Sequence, residues 1–164
     1  MDLPKRKSTR LKNYDYSSCG AYFITICTQN KEKILSHIVG EGFPLPKLSP
    51  KGEKADKLIN FIPEKYEHIT VDKYVIMPNH IHFLLSIKNQ NGRGNPSPTI
   101  ENVIGWFKYQ STKEINAAFG TSGKTIYQRS FYDHIIRNEQ DYKEIWNYIE
   151  NNPIKWQEDC FYIK

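Results

Sequence analysis

Two strand-forming runs, HITVDKYVIM (68–77) and HIHFLLSI (80–87), are separated by only Pro78 and Asn79. A link that short leaves no room for a crossover, so the runs predict an antiparallel hairpin with His80 at the start of its second strand. Side chains alternate across a strand, which sends His80, His82, Leu84 and Ser86 to one face. Ile81, Phe83, Leu85 and Ile87 go to the other, an apolar face fit for burial. The two imidazoles then lie side by side, either as ligands of a divalent metal or as polar residues on a solvated strand face.

The remaining segments decide what packs on that hairpin. AYFITICTQ (21–29) is rich in branched and aromatic residues and reads as a core strand. KEKILSHIVGEGFPLPKL is broken by Gly40, Gly42, Pro44 and Pro46 into turns with a short edge strand. A helix begins near Ser49, with Pro50 at its first position and Ala55, Leu58, Ile59 and Ile62 on one face; Pro63 limits it. After the hairpin, the Gly-, Pro- and Asn-rich stretch over 88–98 reads as a flexible loop. A second helix carries Ile100, Val103, Ile104, Phe107 and Ile115 on one stripe and ends before Gly120. A strand centred on 131–136 leads to a last helix, capped by Asn138, striped by Tyr142, Ile145, Trp146 and Ile149, and stopped by Asn151-Asn152-Pro153. The order strand, helix, hairpin, helix, strand, helix predicts an α+β sandwich, with helices packed on a mainly antiparallel sheet. The ferredoxin-like arrangement fits it best.

The 164 residues suit a single domain over 1–164, preceded within it by a basic N-terminal arm, 1–18. No run of about 18 apolar residues exists to span a membrane, and the arm lacks the apolar middle of a secretory signal. Cys19, Cys27 and Cys160 are odd in number and show no C-x-x-C spacing, so they read as free thiols in a reducing, cytoplasmic compartment. Within a net charge of +5, the arm concentrates Lys5, Arg6, Lys7, Arg10 and Lys12, followed by Tyr14 and Tyr16. Cations ending in aromatics suit a polyanion with stackable bases; the plainer reading is a solvated tail. His37 and His68 have no partner in the pattern and read as surface residues.

Two histidines need at least one more ligand. On the last helix Tyr148 and Asn152 are four residues apart and share a face. A phenol hydroxyl can attack phosphorus, and an amide carbonyl is a hard metal ligand. If the substrate is a nucleic-acid phosphate, the metal is Mg²⁺ or Mn²⁺. Spacing alone does not single out Tyr148 among eleven tyrosines, and packing of an amphipathic helix explains it equally well.

YVIMPNHIHFLL (74–85) resembles the histidine–hydrophobic–histidine (HUH) signature of single-strand DNA transposases that use one catalytic tyrosine. RLKNYDYSSCGAYFITICTQNK and YQRSFYDHIIRNEQDYKEIWNYIENNPIKW, at the two ends of the chain, resemble the REP-associated tyrosine transposases in the same order. The resemblance covers about residues 5 to 156. It implies a ferredoxin-like fold, metal binding by His80 and His82 with Asn152 completing the site, and Tyr148 as nucleophile. It further implies a single-stranded DNA endonuclease and strand-transferase of the bacterial chromosome, acting on DNA hairpins through a 5′-phosphotyrosine intermediate, without a nucleotide cofactor. The protein would be a monomer or homodimer. Lys5, Arg6, Lys7, Arg10, Lys12, Tyr14, Arg129 and His134 are the candidate DNA contacts; His134 could equally be a satisfied strand histidine.

Two other readings stay open on the sequence. A ferredoxin-like sheet with a basic arm also suits a non-catalytic single-stranded nucleic-acid-binding module. A metal-dependent hydrolase of small molecules would use the same H-x-H pair, but the helix-rich second half and the arm fit it poorly.

Overall fold

The computed structural model describes residues 20–40, 42, 44–88 and 99–164. In chain order its elements are β1 (Gly20–Cys27), β2 (Ser36–Val39), β3 (Leu45–Leu48), α1 (Pro50–Lys65), β4 (Ile69–Ile76), β5 (His80–Ile87), α2 (Ile100–Phe119), β6 (Tyr132–Ile136) and α3 (Glu139–Asn151). The basic arm and the loop over 89–98 lie outside the described residues.

β4, β5, β1 and β6 form a four-stranded sheet in that order, with every neighbouring pair antiparallel. Setting aside the β2–β3 hairpin, the chain runs β-α-β-β-α-β, and this strand order is the ferredoxin-like one. The expected fold class holds. Glycine and proline had suggested turns with one short strand before α1; the chain instead forms a two-stranded hairpin there, with Gly40 and Gly42 at positive φ between its strands.

α1 and α2 cover one face of the sheet. Ile81, Phe83, Leu85 and Ile87 of β5 pack there with Tyr22, Ile24 and Ile26 of β1 and with Ile59, Ile62, Ile104 and Phe107 from the helices. Ser49 caps α1 by accepting from the Gly52 amide at 3.0 Å. The helix runs to Lys65, two residues past Pro63. A proline lacks only its own amide, so the Ile62 carbonyl still accepts from Tyr66 at 2.9 Å and closes the last turn.

The other face, expected to be either metal-ligating or solvated, is covered as well. Phe23, Val75, Met77 and Leu84 pack against Ile149 of α3 and Trp156 beyond it. A β-bulge between Val71 and Lys73 places Asp72 on this side, where its carboxylate accepts from Thr70 Oγ1 (2.8 Å), Ser86 Oγ and Tyr142 Oη (3.0 Å). Lys73 adds a 3.1 Å ion pair to Glu150 and lies 4.3 Å from the Trp146 ring centroid. Together they fix α3 along β4. Residues with an expected surface position divide: His37 is exposed, whereas His68 is buried at the turn into β4.

Candidate functional site

β5 begins at His80 because Pro78 and Asn79 turn the chain back, with the Met77 amide donating to the His80 carbonyl at 2.9 Å. Its alternation then places His80 and His82 on the α3 face, ring centroids 4.5 Å apart. Both are buried, at 0% and 1% exposure, so the solvated-strand reading fails. The physical reason is coverage: α3 and the segment after it close over that end of the sheet, Phe161 lying 4.6 Å from the His80 ring.

Each ring is held by its Nδ1. Asn79 donates through Nδ2 to the Phe161 carbonyl at 2.8 Å, which leaves its Oδ1 to accept from His80 Nδ1–H at 2.9 Å. His82 Nδ1 hydrogen-bonds Thr25 Oγ1 at 2.8 Å, its partner across the β1–β5 register. Among the described residues, both buried Nε2 atoms have no hydrogen-bond partner, and neither does Asn152 Oδ1. Orphaned buried acceptors are costly unless something fills the space between them.

A carboxylate faces the same space. Asp159 Oδ2 lies 4.0 Å from His80 Nε2 and accepts from Asn152 Nδ2 at 2.7 Å; Asp159 Oδ1 accepts from the Phe161 amide at 2.7 Å. One ligand atom each from His80, His82 and Asp159 falls within 4.8 Å of the others, so this group can hold a metal ion. Burial pushes His80 down to about 4, with Asp159 opposing, and drives His82 well below its usual range with His80 adding to the effect. Both rings are therefore neutral near pH 7, the form that donates a lone pair.

Tyr148 stands beside this group on α3. Its ring meets His82 at 5.2 Å and Phe23 of β1 at 5.8 Å, and 43% of the residue is exposed. Burial, then Asp159 and Cys160, push its hydroxyl up to about 12, and a hydrogen bond with Asn152 works in the opposite direction. A cavity of about 530 Å³ opens on this side, lined by Tyr148, Asn152 and Asp159 together with Asn147 and Lys155. A half-exposed tyrosine, a buried set of unpartnered polar atoms and an open cavity thus meet where β5, α3 and the C-terminal segment converge.

The family profile of IS200-like transposases matches residues 22–152. The chain belongs to this family. An uncharacterized protein of Haemophilus influenzae is 36% identical over 173 residues, covering 96% of this chain and 93% of that protein. A second Haemophilus influenzae protein, named for the REP-associated tyrosine transposases, is 29% identical over 154 residues, or 88% of this chain and 77% of its own length. The fold is similar to that of a solved REP-associated tyrosine transposase bound to a REP hairpin, with a TM-score of 0.58 at 19% identity over 90% of this chain and 74% of the other.

For this IS200-like transposase, the structure brings His80, His82, Tyr148 and Asn152 together, as the motifs suggested. His134 is elsewhere on the α3 face of the sheet, opposite Phe23 in the β1–β6 register, and its Nε2 contacts Asp141 Oδ2 at 2.9 Å in the first turn of α3. Arg129 is exposed in the loop before β6. Lys108 of α2 donates to the Gln128 and Arg129 carbonyls and so holds this loop. Lys5, Arg6, Lys7, Arg10, Lys12 and Tyr14 lie outside the described residues. Among the described residues no helix is long and apolar enough to cross a membrane, and Cys27 and Cys160 are free thiols. Asp159 and Phe161 escaped the sequence reading. The aromatic residues of WQEDCFYIK are a signal for a packed segment, but no spacing ties its aspartate to the histidines.

Proposed function

We propose that this protein is a metal-dependent REP-associated transposase that cuts and rejoins single-stranded DNA beside a hairpin, with Tyr148 as its nucleophile. The observation that carries the reading is the Tyr148 ring seated 5.2 Å from the His82 ring, beside the unpartnered Nε2 atoms of His80 and His82 and the Asn152 side chain. Family membership, and the hairpin bound by the REP-associated transposase whose fold is similar, support DNA hairpins as the substrate class.

His80, His82 and Asn152 would hold Mg²⁺ or Mn²⁺, which when bound polarises a non-bridging phosphate oxygen and stabilises charge developing on it. The Tyr148 oxygen attacks the phosphorus and gives up its proton. The bond from phosphorus to the 3′ oxygen breaks, and that oxygen leaves as a hydroxyl after taking up a proton. The product is a 5′-phosphotyrosine that conserves the phosphodiester bond energy, so a 3′-hydroxyl can reverse the step without a nucleotide cofactor. Phe23 and His82 hold the phenol ring against the sheet, limiting its approach to one side. The basic arm residues Lys5, Arg6, Lys7, Arg10 and Lys12, with Tyr14, would grip phosphates and a base of the DNA, and Arg129 and His134 would extend the contact. The protein would act on the bacterial chromosome in the cytoplasm, as a monomer or homodimer.

The test is incubation with hairpin oligonucleotides carrying a single-stranded flank, taken from the genome around the gene, with Mn²⁺ or Mg²⁺. A covalent protein–DNA adduct that maps to Tyr148 is expected. Adduct formed in full under excess chelator would rule out metal dependence.

A further inference from the structure

The family match ends at Asn152, yet one wall of the site is built by residues beyond it. Asp159 is one of them, seven residues past the end of that match and with a side chain only 2% exposed. A carboxylate so deeply buried ordinarily sits beside a cation or a full set of donors. Here its two donors among the described residues are an amide each from Asn152 and Phe161, and toward the histidines its Oδ2 lies 4.0 Å from His80 Nε2, too far for a hydrogen bond. The carboxylate, the two unpartnered Nε2 atoms and the unpartnered Asn152 Oδ1 converge on one space, the ligand atoms of His80, His82 and Asp159 within 4.8 Å of one another. That arrangement is unfavourable when empty and complementary to a divalent cation.

We propose that Asp159 is itself a ligand of the metal, contributed from beyond the span that the family profile matches. The proposal rests on the metal-site reading above. It adds the only negative charge in the set, which matches a hard divalent cation better than two imidazoles and an amide do alone. Asn152 then has a second use, because its Nδ2 orients the carboxylate at 2.7 Å while its side chain also reaches the Tyr148 hydroxyl.

The test compares Mn²⁺ binding by calorimetry, and Mn²⁺-induced thermal shift, for the full chain and for Asp159→Asn. The replacing amide keeps one oxygen to accept from the Phe161 amide, and its NH2 can donate to Asn152 once that side chain turns its Oδ1 toward it, so a purely structural role predicts little change in affinity and an unchanged or lower melting temperature. A ligand role predicts opposite signs. Mn²⁺ affinity falls at least about tenfold, as for loss of a metal-site partner, while the metal-free variant melts higher because the buried charge is gone. Equal Mn²⁺ affinity in the two proteins overturns the proposal. Should Asp159→Asn not fold, infrared difference spectra of ¹³C-aspartate-labelled wild-type protein with one equivalent of Mn²⁺ decide it. A shifted carboxylate stretch is expected, and none overturns the assignment. His80→Ala separates the two levels. Binding that needs His80 but not Asp159 sinks only this proposal, whereas a wild-type protein that binds no Mn²⁺ sinks the metal-site reading with it.

Discussion

The Tyr148 ring of α3 meets the Phe23 ring of β1 edge-on, at 87° and 5.8 Å between centroids. This contact, with that to His82, means that the phenol is placed by its ring and not by its hydroxyl. Tyr148→Phe should therefore fold normally, losing about 1 kcal/mol or less with the Asn152 hydrogen bond, and bind hairpin DNA as the parent does. Covalent adduct should disappear. Denaturing gels after incubation with labelled hairpin would show this; adduct persisting in Tyr148→Phe but lost in Tyr142→Phe would reassign the nucleophile.

Tyr142 sets where α3 lies. Its hydroxyl donates to Asp72, the residue displaced by the bulge in β4, six positions before Tyr148. In Tyr142→Phe, Asp72 keeps its bonds from Thr70 and Ser86, so the protein folds while α3 docks less firmly. If about 1 kcal/mol of docking is lost and falls wholly on the reactive arrangement, single-turnover cleavage slows about fivefold. Hairpin affinity should not move. A cleavage rate equal to the parent's would show that the remaining contacts place α3 without this bond.

How far the sequence reached can be seen at particular residues. Alternation along HIHFLLSI put the histidines on one face correctly, because period-two geometry is local. Local patterning said nothing of what covers that face, and so a solvated strand remained open. Coverage comes from Ile149, Trp156 and Phe161, residues 67 or more positions after His82, whose contacts with it are tertiary. The helix ends at Ser49, Gly120 and Asn138 were legible for the same local reason, since these residues cap through their own neighbours, whereas the end of α1 lies two residues past Pro63. Asp159 lies in a tail without periodicity, and only the folded chain brings it to His80.

Tyr127 gives an alkaline signature unrelated to the site. It is 4% exposed, and burial pushes its hydroxyl up to about 12. Between about pH 10, where an unfolded tyrosine ionises, and 12 the unfolded chain has lost a proton that the folded one keeps. The folded state thus binds more protons, and stability falls as pH rises through that window, by up to about 1.4 kcal/mol per unit. Tyr127→Phe should flatten this part of the profile relative to the parent in urea titrations. Identical alkaline slopes would refute the buried-phenol account.

The proposed role of the basic arm is open to deletion of residues 1–12, which precede β1. Folding should be unaffected. If the arm tracks phosphates, hairpin affinity weakens and the log–log salt slope flattens by about 0.7 to 0.9 for each contact removed. Fluorescence anisotropy across a salt series measures both. Unchanged affinity and slope would make the arm a solvated tail.

Glycine 52 and glycine 105 both sit in helices, yet alanine should act on them in opposite directions. A methyl at Gly52 would lie 1.9 Å from the Leu35 carbonyl oxygen and 3.0 Å from its carbon. That carbonyl cannot easily retreat, because it accepts from the Ser49 amide at 2.9 Å, and Ser49 in turn caps α1 through the Gly52 amide. The clash is with backbone, so relief requires α1 to separate from the segment before β2. Gly52→Ala should cost about 1–3 kcal/mol or more, as overpacking does. At Gly105 of α2, a methyl would meet nothing within 4 Å. There the usual helix preference operates, and Gly105→Ala should gain about 0.5–1 kcal/mol. Urea midpoints of the two variants, at equal denaturant dependence, measure the difference directly. A gain in both would mean that the Leu35 carbonyl yields without cost, and that the close approach of α1 to this segment does not require glycine.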